Sequence, residues 1–291
     1  MKQRAILLLL IIIGSTSINQ AYSQAWSRKY EEYKASLDET EQWYKHKSGE
    51  TTEKLISLAD KKKRKGLKAT DISPVVQWYA NSKTDTMIYI TSLQKVGTYY
   101  DQDSLCVPGK VLNTSNYVLW FTIPNEFNKK LLSIGEGLQA KDSITFKVRL
   151  AEVLGLPISE TEAQHRYKVF TFKVAQSKVL RPAFNPDPNI NKITYSPSNS
   201  YSSQVWENYE KWLTEKWQET FPNADADSSN LYKYYPFTGL GYTYDWGSED
   251  NNNHYGLSEF IIIEKSDFTF VSCKALWDYY IDLQKKHKKR K

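Results

Sequence analysis

Tyr235-Pro-Phe-Thr-Gly-Leu-Gly-Tyr-Thr-Tyr-Asp-Trp-Gly-Ser248 decides how this chain is read, together with Gly256-Leu-Ser-Glu-Phe-Ile-Ile-Ile263. Two glycine-punctuated aromatic and apolar runs flank a polar loop from Ser248 to Tyr255. Alternation over Leu240–Trp246 and the aliphatic run within Ser258–Glu264 predict two strands that the loop joins as a hairpin. Asp267–Ser272 predicts a further strand.

Helices flank this unit. Trp206, Tyr209, Leu213, Trp217 and Phe221 share one face of a helix over 203–221, opposite Glu207, Lys211 and Glu215. Ser202 or Ser203 can cap it, and Pro222 follows its end. A last helix, 274–286, turns Leu276, Tyr279, Tyr280 and Leu283 inward. Upstream, Thr86–Thr91, Tyr117–Ile123 and Tyr167–Val174 read as strands. Pro124 opens a helix that Gly135 ends, and Ile144–Leu154 begins like a strand and finishes like a helical turn. Residues 27–65 repeat tyrosine and leucine at helical spacing.

Helices and strands alternate without regular βαβ spacing, so the expected fold is α+β. It has an N-terminal helical arm, a mixed central β-sheet, and a C-terminal unit of helix, antiparallel strands and final helix. The expected organisation is a leader over 1–23, the arm over 24–84, a central mixed region over 85–192 and the C-terminal unit over 193–291. The proline-rich polar stretch after Arg181-Pro182 is the expected connection between the last two.

Lys2 and Arg4 precede the aliphatic run Ala5–Ile13, too short for a mature transmembrane helix, and Ala21-Tyr22-Ser23 offers small residues at −3 and −1. This pattern predicts a secretory signal peptide cleaved near Ser23 and a secreted or periplasmic mature chain with no transmembrane segment. The formal charge of +6 is unevenly spread: the runs 61–65 and 285–291 hold eleven of the 39 basic residues, against 33 acidic ones. An acidic body with two basic tethers argues against a specific nucleic-acid partner, which favours a basic face interleaved with aromatics. Cys106 and Cys273 are the two cysteines. Export would permit a disulfide closing a loop of about 170 residues, worth up to roughly 5 kcal/mol in the chain-entropy picture; two unpaired thiols are the other reading.

Leu154-Gly-Leu-Pro157, Arg181-Pro182, Asn185-Pro-Asp-Pro188, Pro236–Gly247 and Gly256-Leu-Ser-Glu-Phe260 together resemble a family of exported bacterial proteins of unsettled function. That family carries LGLP, RP with a PDP-like segment, PWTRLGYTYDWG and GLSEFV. The resemblance spans about the last half of the chain and is most specific at Tyr242–Gly247. Phe237 and Gly239 stand where the family has Trp and Arg. It implies a location and an architecture, and no reaction.

Three functional readings follow from the hairpin. In the first, Tyr242, Tyr244 and Trp246 alternate along a strand and expose one row of rings, with Arg181 nearby, for a ligand or partner such as a glycan or an envelope or host protein. Packed core is the competing account of those rings. In the second, Glu259, Asp245 and His254 converge at the hairpin's ends for acid/base chemistry; solvated loop and strand-end residues are the bland alternative. In the third, the Ser258-Glu-Phe-Ile-Ile pattern is similar to the way ADP-ribosyltransferase folds present their glutamate, with Arg181 or His165 replacing the missing arginine. The first reading, a binding protein using an aromatic strand face, is the main expectation, and the carboxylate-centred enzyme is its alternative. No cofactor is expected. The sequence shows no zinc-ligand spacing, and 223–230 lacks the glycine and glutamate of a calcium loop.

Overall fold

Phe268 and Phe270, both buried, explain why a strand late in the chain lies inside a sheet: each presents its ring to the same core as Phe172. The computed structural model describes residues 87–97, 99–139, 143–156, 167–183, 185–191, 205–220, 237–248 and 254–289. The expected leader, helical arm, basic run at 61–65 and polar turn at 223–230 lie outside them, as does His165.

In chain order the elements are β1 (Met87–Lys95), β2 (Val111–Asn113), β3 (Leu119–Phe121), α1 (Pro124–Ile134), α2 (Ser143–Val153), β4 (Tyr167–Ala175), β5 (Val179–Leu180), α3 (Tyr209–Thr220), β6 (Tyr242–Tyr244), β7 (Tyr255–Ser258), β8 (Phe260–Ile262), β9 (Asp267–Ala275) and α4 (Leu276–Lys288). This is an α+β fold. Its larger sheet runs β1-β4-β9-β2, a second runs β3-β8-β5, and β6 pairs with β7. All strand pairs are antiparallel. Strands β8 and β9 each fill an inner position between strands from residues 85–192, so the central region and the C-terminal unit share both large sheets.

One core joins the two sheets. Ile88, Ile90, Phe172, Val174 and Phe268 of the larger meet Phe121, Val179, Phe260 and Ile262 of the smaller. The other lies under the helices, where Phe146, Leu150 and Val153 of α2 pack with Phe127 and Leu131 of α1 and with Leu276 and Tyr280 of α4. Tyr280 donates its hydroxyl to the Gly135 carbonyl and holds α4 against the end of α1. A side chain at Gly135 would overlap that ring.

Pro124 and Gly135 bound α1 as expected, and β4 matches the alternation of Tyr167–Val174. Ile144–Leu154 is a correction. It is helical from Ser143 to Val153, because Phe146, Leu150 and Val153 are buried at spacings of four and three. β-branched Ile144 and Val148 suggested a strand, but the buried face decides. The expected long strands at 117–123 and 240–246 shrink to three residues each. Lys285, Lys286 and Lys288 belong to the last turn of α4, where cations suit the helix dipole, rather than to a free tether.

Candidate ligand pocket and the two carboxyl groups

Asp245 follows β6 directly and is buried. Its amide donates to the His254 carbonyl at 2.8 Å, and His254 Nδ1 returns a hydrogen bond to the Asp245 carbonyl at 2.9 Å. The side chain is held from α2. Arg149 Nη1 and Nη2 reach the two carboxylate oxygens at 2.6 and 2.7 Å, a bidentate pair, and Lys130 Nζ stands 3.6 Å away. Glu152, one turn on from Arg149, also meets that guanidinium at 3.2 Å. These carboxylates hold the Arg149 guanidinium above its usual range despite burial. Asp245 is thus a charge with its partners in place. It fastens the hairpin to the helices.

The rings next to it are fastened as well. Tyr242, Tyr244 and Trp246 are 2 %, 1 % and 5 % exposed. Tyr242 lies against Tyr255 at 5.3 Å between centroids, and Tyr244 stacks on His254 at 4.6 Å. Trp246 donates its indole N–H to the Leu156 carbonyl at 3.2 Å. The open row of rings expected from the alternation is therefore corrected: these side chains are packing groups, and none offers a free face of that size to a glycan.

Arg181 is corrected too. It is wholly buried, with its guanidinium 4.4 Å from the Phe260 ring centroid and Nη1 donating to the Gly241 carbonyl at 2.8 Å. Burial lowers its pKa to about 10, against the opposing pull of Tyr255 and Glu126. Gly241 has φ +81°, and a Cβ there would overlap Cδ and Cγ of Arg181, so the glycine serves both the turn and the close approach. The carbonyl of Arg181 accepts from the Tyr209 hydroxyl at 2.7 Å, which ties α3 to this strut.

Glu259 has a different environment. Its amide donates to the Gly241 carbonyl at 3.0 Å, which fixes the backbone between β7 and β8. Its carboxyl makes no hydrogen bond or ion pair among the described residues. It opens onto a cavity of about 310 Å³ shared by β1, β3, the ends of α1 and α2 and the β6–β7 hairpin. Leu93, Trp120, Phe121, Phe127 and Leu154 supply most of the wall. Burial pushes the Glu259 carboxyl up to about 8, and Arg181 opposes that rise. Across the same cavity lies Thr91, 1 % exposed, whose Oγ1 has no hydrogen-bond partner among the described residues.

The structure therefore brings Asp245 and His254 together through backbone contacts and leaves Glu259 to a separate cavity. The expected trio does not form one constellation. Sequence reasoning missed Arg149 and Thr91. Arg149 carried a signal in the Arg149/Glu152 spacing, which places both on one helix face, whereas nothing in the sequence marks Thr91 as unsatisfied. Behind the cavity, Glu126 from the first turn of α1 accepts from the Tyr255 hydroxyl and from the Ser258 amide at 3.0 Å, fixing β7. Among the described residues no group of three His, Cys, Asp or Glu could hold a metal, and no helix is long and apolar enough to cross a membrane.

Cys106 and Cys273 approach to 4.1 Å as free thiols. Cys106 donates to the Tyr100 carbonyl at 3.1 Å, and burial together with Cys273 pushes its thiol up to about 11. Compared with known proteins, the chain matches no family model, no curated protein and no solved structure.

Proposed function

We propose that this chain is a binding protein for a small molecule, and that its site is the cavity beside Glu259 rather than the face of the Tyr242–Trp246 strand. One observation carries the reading: the buried Thr91 hydroxyl and the half-buried Glu259 carboxyl line a mostly apolar hollow, and neither has a hydrogen-bond partner among the described residues. Unpaired buried polar groups cost stability, and a ligand that satisfies them recovers part of it. Fragment screening by ligand-observed NMR tests this. Hits should vanish in Leu154→Trp, which fills the cavity, and persist in Lys211→Ala on exposed α3. Hits that ignore Leu154→Trp would place binding elsewhere and end the proposal.

A second reading, an enzyme using the same carboxyl as a general acid, is favoured by the raised pKa of Glu259, since a carboxyl protonated near neutral pH can donate. Cleavage or transfer of labelled NAD by the wild type, abolished in Glu259→Gln, supports it; equal label in both removes it.

The Lys2–Ser23 pattern and the resemblance to an exported bacterial family support a secreted or periplasmic chain, and N-terminal sequencing of the native protein should begin after Ser23. Export would bring Cys106 and Cys273 into an oxidising compartment, where their proximity supports a disulfide. Thiol counting on the unfolded, unreduced native protein should find none; two would remove that element.

A further inference from the structure

We propose that the cavity takes an uncharged, mostly apolar molecule through one carbonyl-type acceptor oxygen, received jointly by the Thr91 hydroxyl and the Glu259 carboxyl. This rests on the cavity being the binding site.

Most polar side chains that line the cavity already have partners. Ser92 Oγ donates to the Trp120 carbonyl at 2.9 Å and accepts from Gln94 at 2.7 Å. Thr122 Oγ1 donates to the Ser258 carbonyl at 2.7 Å. Thr243 Oγ1 donates to the Val153 carbonyl at 2.6 Å and accepts from the Leu257 amide at 2.9 Å. Ser258 Oγ pairs with the Tyr255 hydroxyl at 2.9 Å. Of the lining side chains, Thr91 Oγ1 and the Glu259 carboxyl have no hydrogen-bond partner among the described residues. Both can donate a proton to an acceptor while Glu259 is protonated.

Charge points the same way. Among the described residues, no ionisable side chain other than Glu259 lines the cavity. Arg181 is the charged group that acts on Glu259, and Glu126 and Tyr255 in turn act on Arg181. A cationic ligand would enter an apolar hollow with a carboxyl that is mostly neutral at pH 7 and a buried guanidinium nearby. A carbonyl oxygen needs no counterion and supplies the acceptor that both donors lack. The volume of about 310 Å³ sits at the low end for small-molecule sites, roughly 300–1,000 Å³, and suits a ligand of single-ring size.

Three probes of nearly one shape separate the possibilities: acetophenone offers an acceptor, ethylbenzene none, and benzylamine a cation. Saturation-transfer NMR on the native protein at about pH 6.5 should show acetophenone preferred about tenfold over both others, the size of one good hydrogen-bonded group. Thr91→Val should remove several-fold of that preference and Thr91→Ser restore it. Glu259→Gln keeps a donor and should retain binding. Raising the pH to about 9.5 should weaken acetophenone about tenfold or more in the wild type, by depleting the donating form, and leave Glu259→Gln unaffected. Benzylamine binding best, or ethylbenzene matching acetophenone, overturns the ligand class while sparing the cavity. No binding by any probe, together with fragment hits insensitive to Leu154→Trp, overturns both.

Discussion

Asp245 and Glu259 stand on the same hairpin, and the fold treats them in opposite ways. Asp245 is buried against Arg149, with Lys130 in support, and its charge is neutralised where it lies. Glu259 reaches a cavity where no donor or cation among the described residues contacts it, and Arg181 acts on it only through space. A paired charge is a structural bolt, whereas an unpaired, protonated carboxyl is a donor waiting for an acceptor. Counting partners separates the two better than burial or residue type does.

The comparison can be broken hardest at its paired end. Arg149→Met leaves Asp245 buried beside the more distant Lys130. It should cost toward the low end of about 3–5 kcal/mol in urea unfolding. Adding Asp245→Leu to it should recover part of that loss, because Asp245 is then no longer an orphaned charge while buried Glu152 still lacks its Arg149 partner. If the single variant unfolds like the wild type, Asp245 is not the bolt described. Gly241→Ala strikes the strut between the two ends, since its new Cβ overlaps Arg181 in a left-handed turn. About 1–3 kcal/mol of destabilisation is expected from overpacking, read from the urea midpoint.

Glu259→Gln gives the smallest effect at low pH and sharpens the unpaired end. The protonated carboxyl suits the fold, so its contribution is full below the ordinary carboxyl range near 4.5 and is lost as the pH rises to about 8. The variant should match the wild type in melting temperature near the lower limit and exceed it above the upper one. A constant difference across that window would show that Glu259 does not titrate there.

Much of the fold was legible because some segments obey a single local rule. Pro124 and Gly135 bracket α1, and the alternation from Tyr167 to Val174 gives β4. Elements where two rules compete were harder to read. In 143–153 β-branched residues argue for a strand, and the burial of Phe146, Leu150 and Val153 overrides them. The site was half legible. Glu259 stands out beside the glycine-rich motif, but alternation cannot say which strand face meets a neighbouring helix. The rings at Tyr242, Tyr244 and Trp246 therefore passed for a surface, and Asp245 for an acid without a base. Their true partners, Arg149, His254 and the Leu156 carbonyl, come largely from distant sequence, where only tertiary packing brings them close.

Strand β9 carries a consequence for the order of assembly. It lies between β4 and β2, and Asn113 reaches Asp267 across 154 positions of chain. While the polypeptide is being made, β1 and β4 can pair, but β2 has no neighbour in its sheet until β9 arrives. The unfinished edge of β4 stays open throughout that interval. Sheet completion is therefore a late and long-range event, because neither β2 nor the open edge of β4 gains its neighbour until β9 has been made.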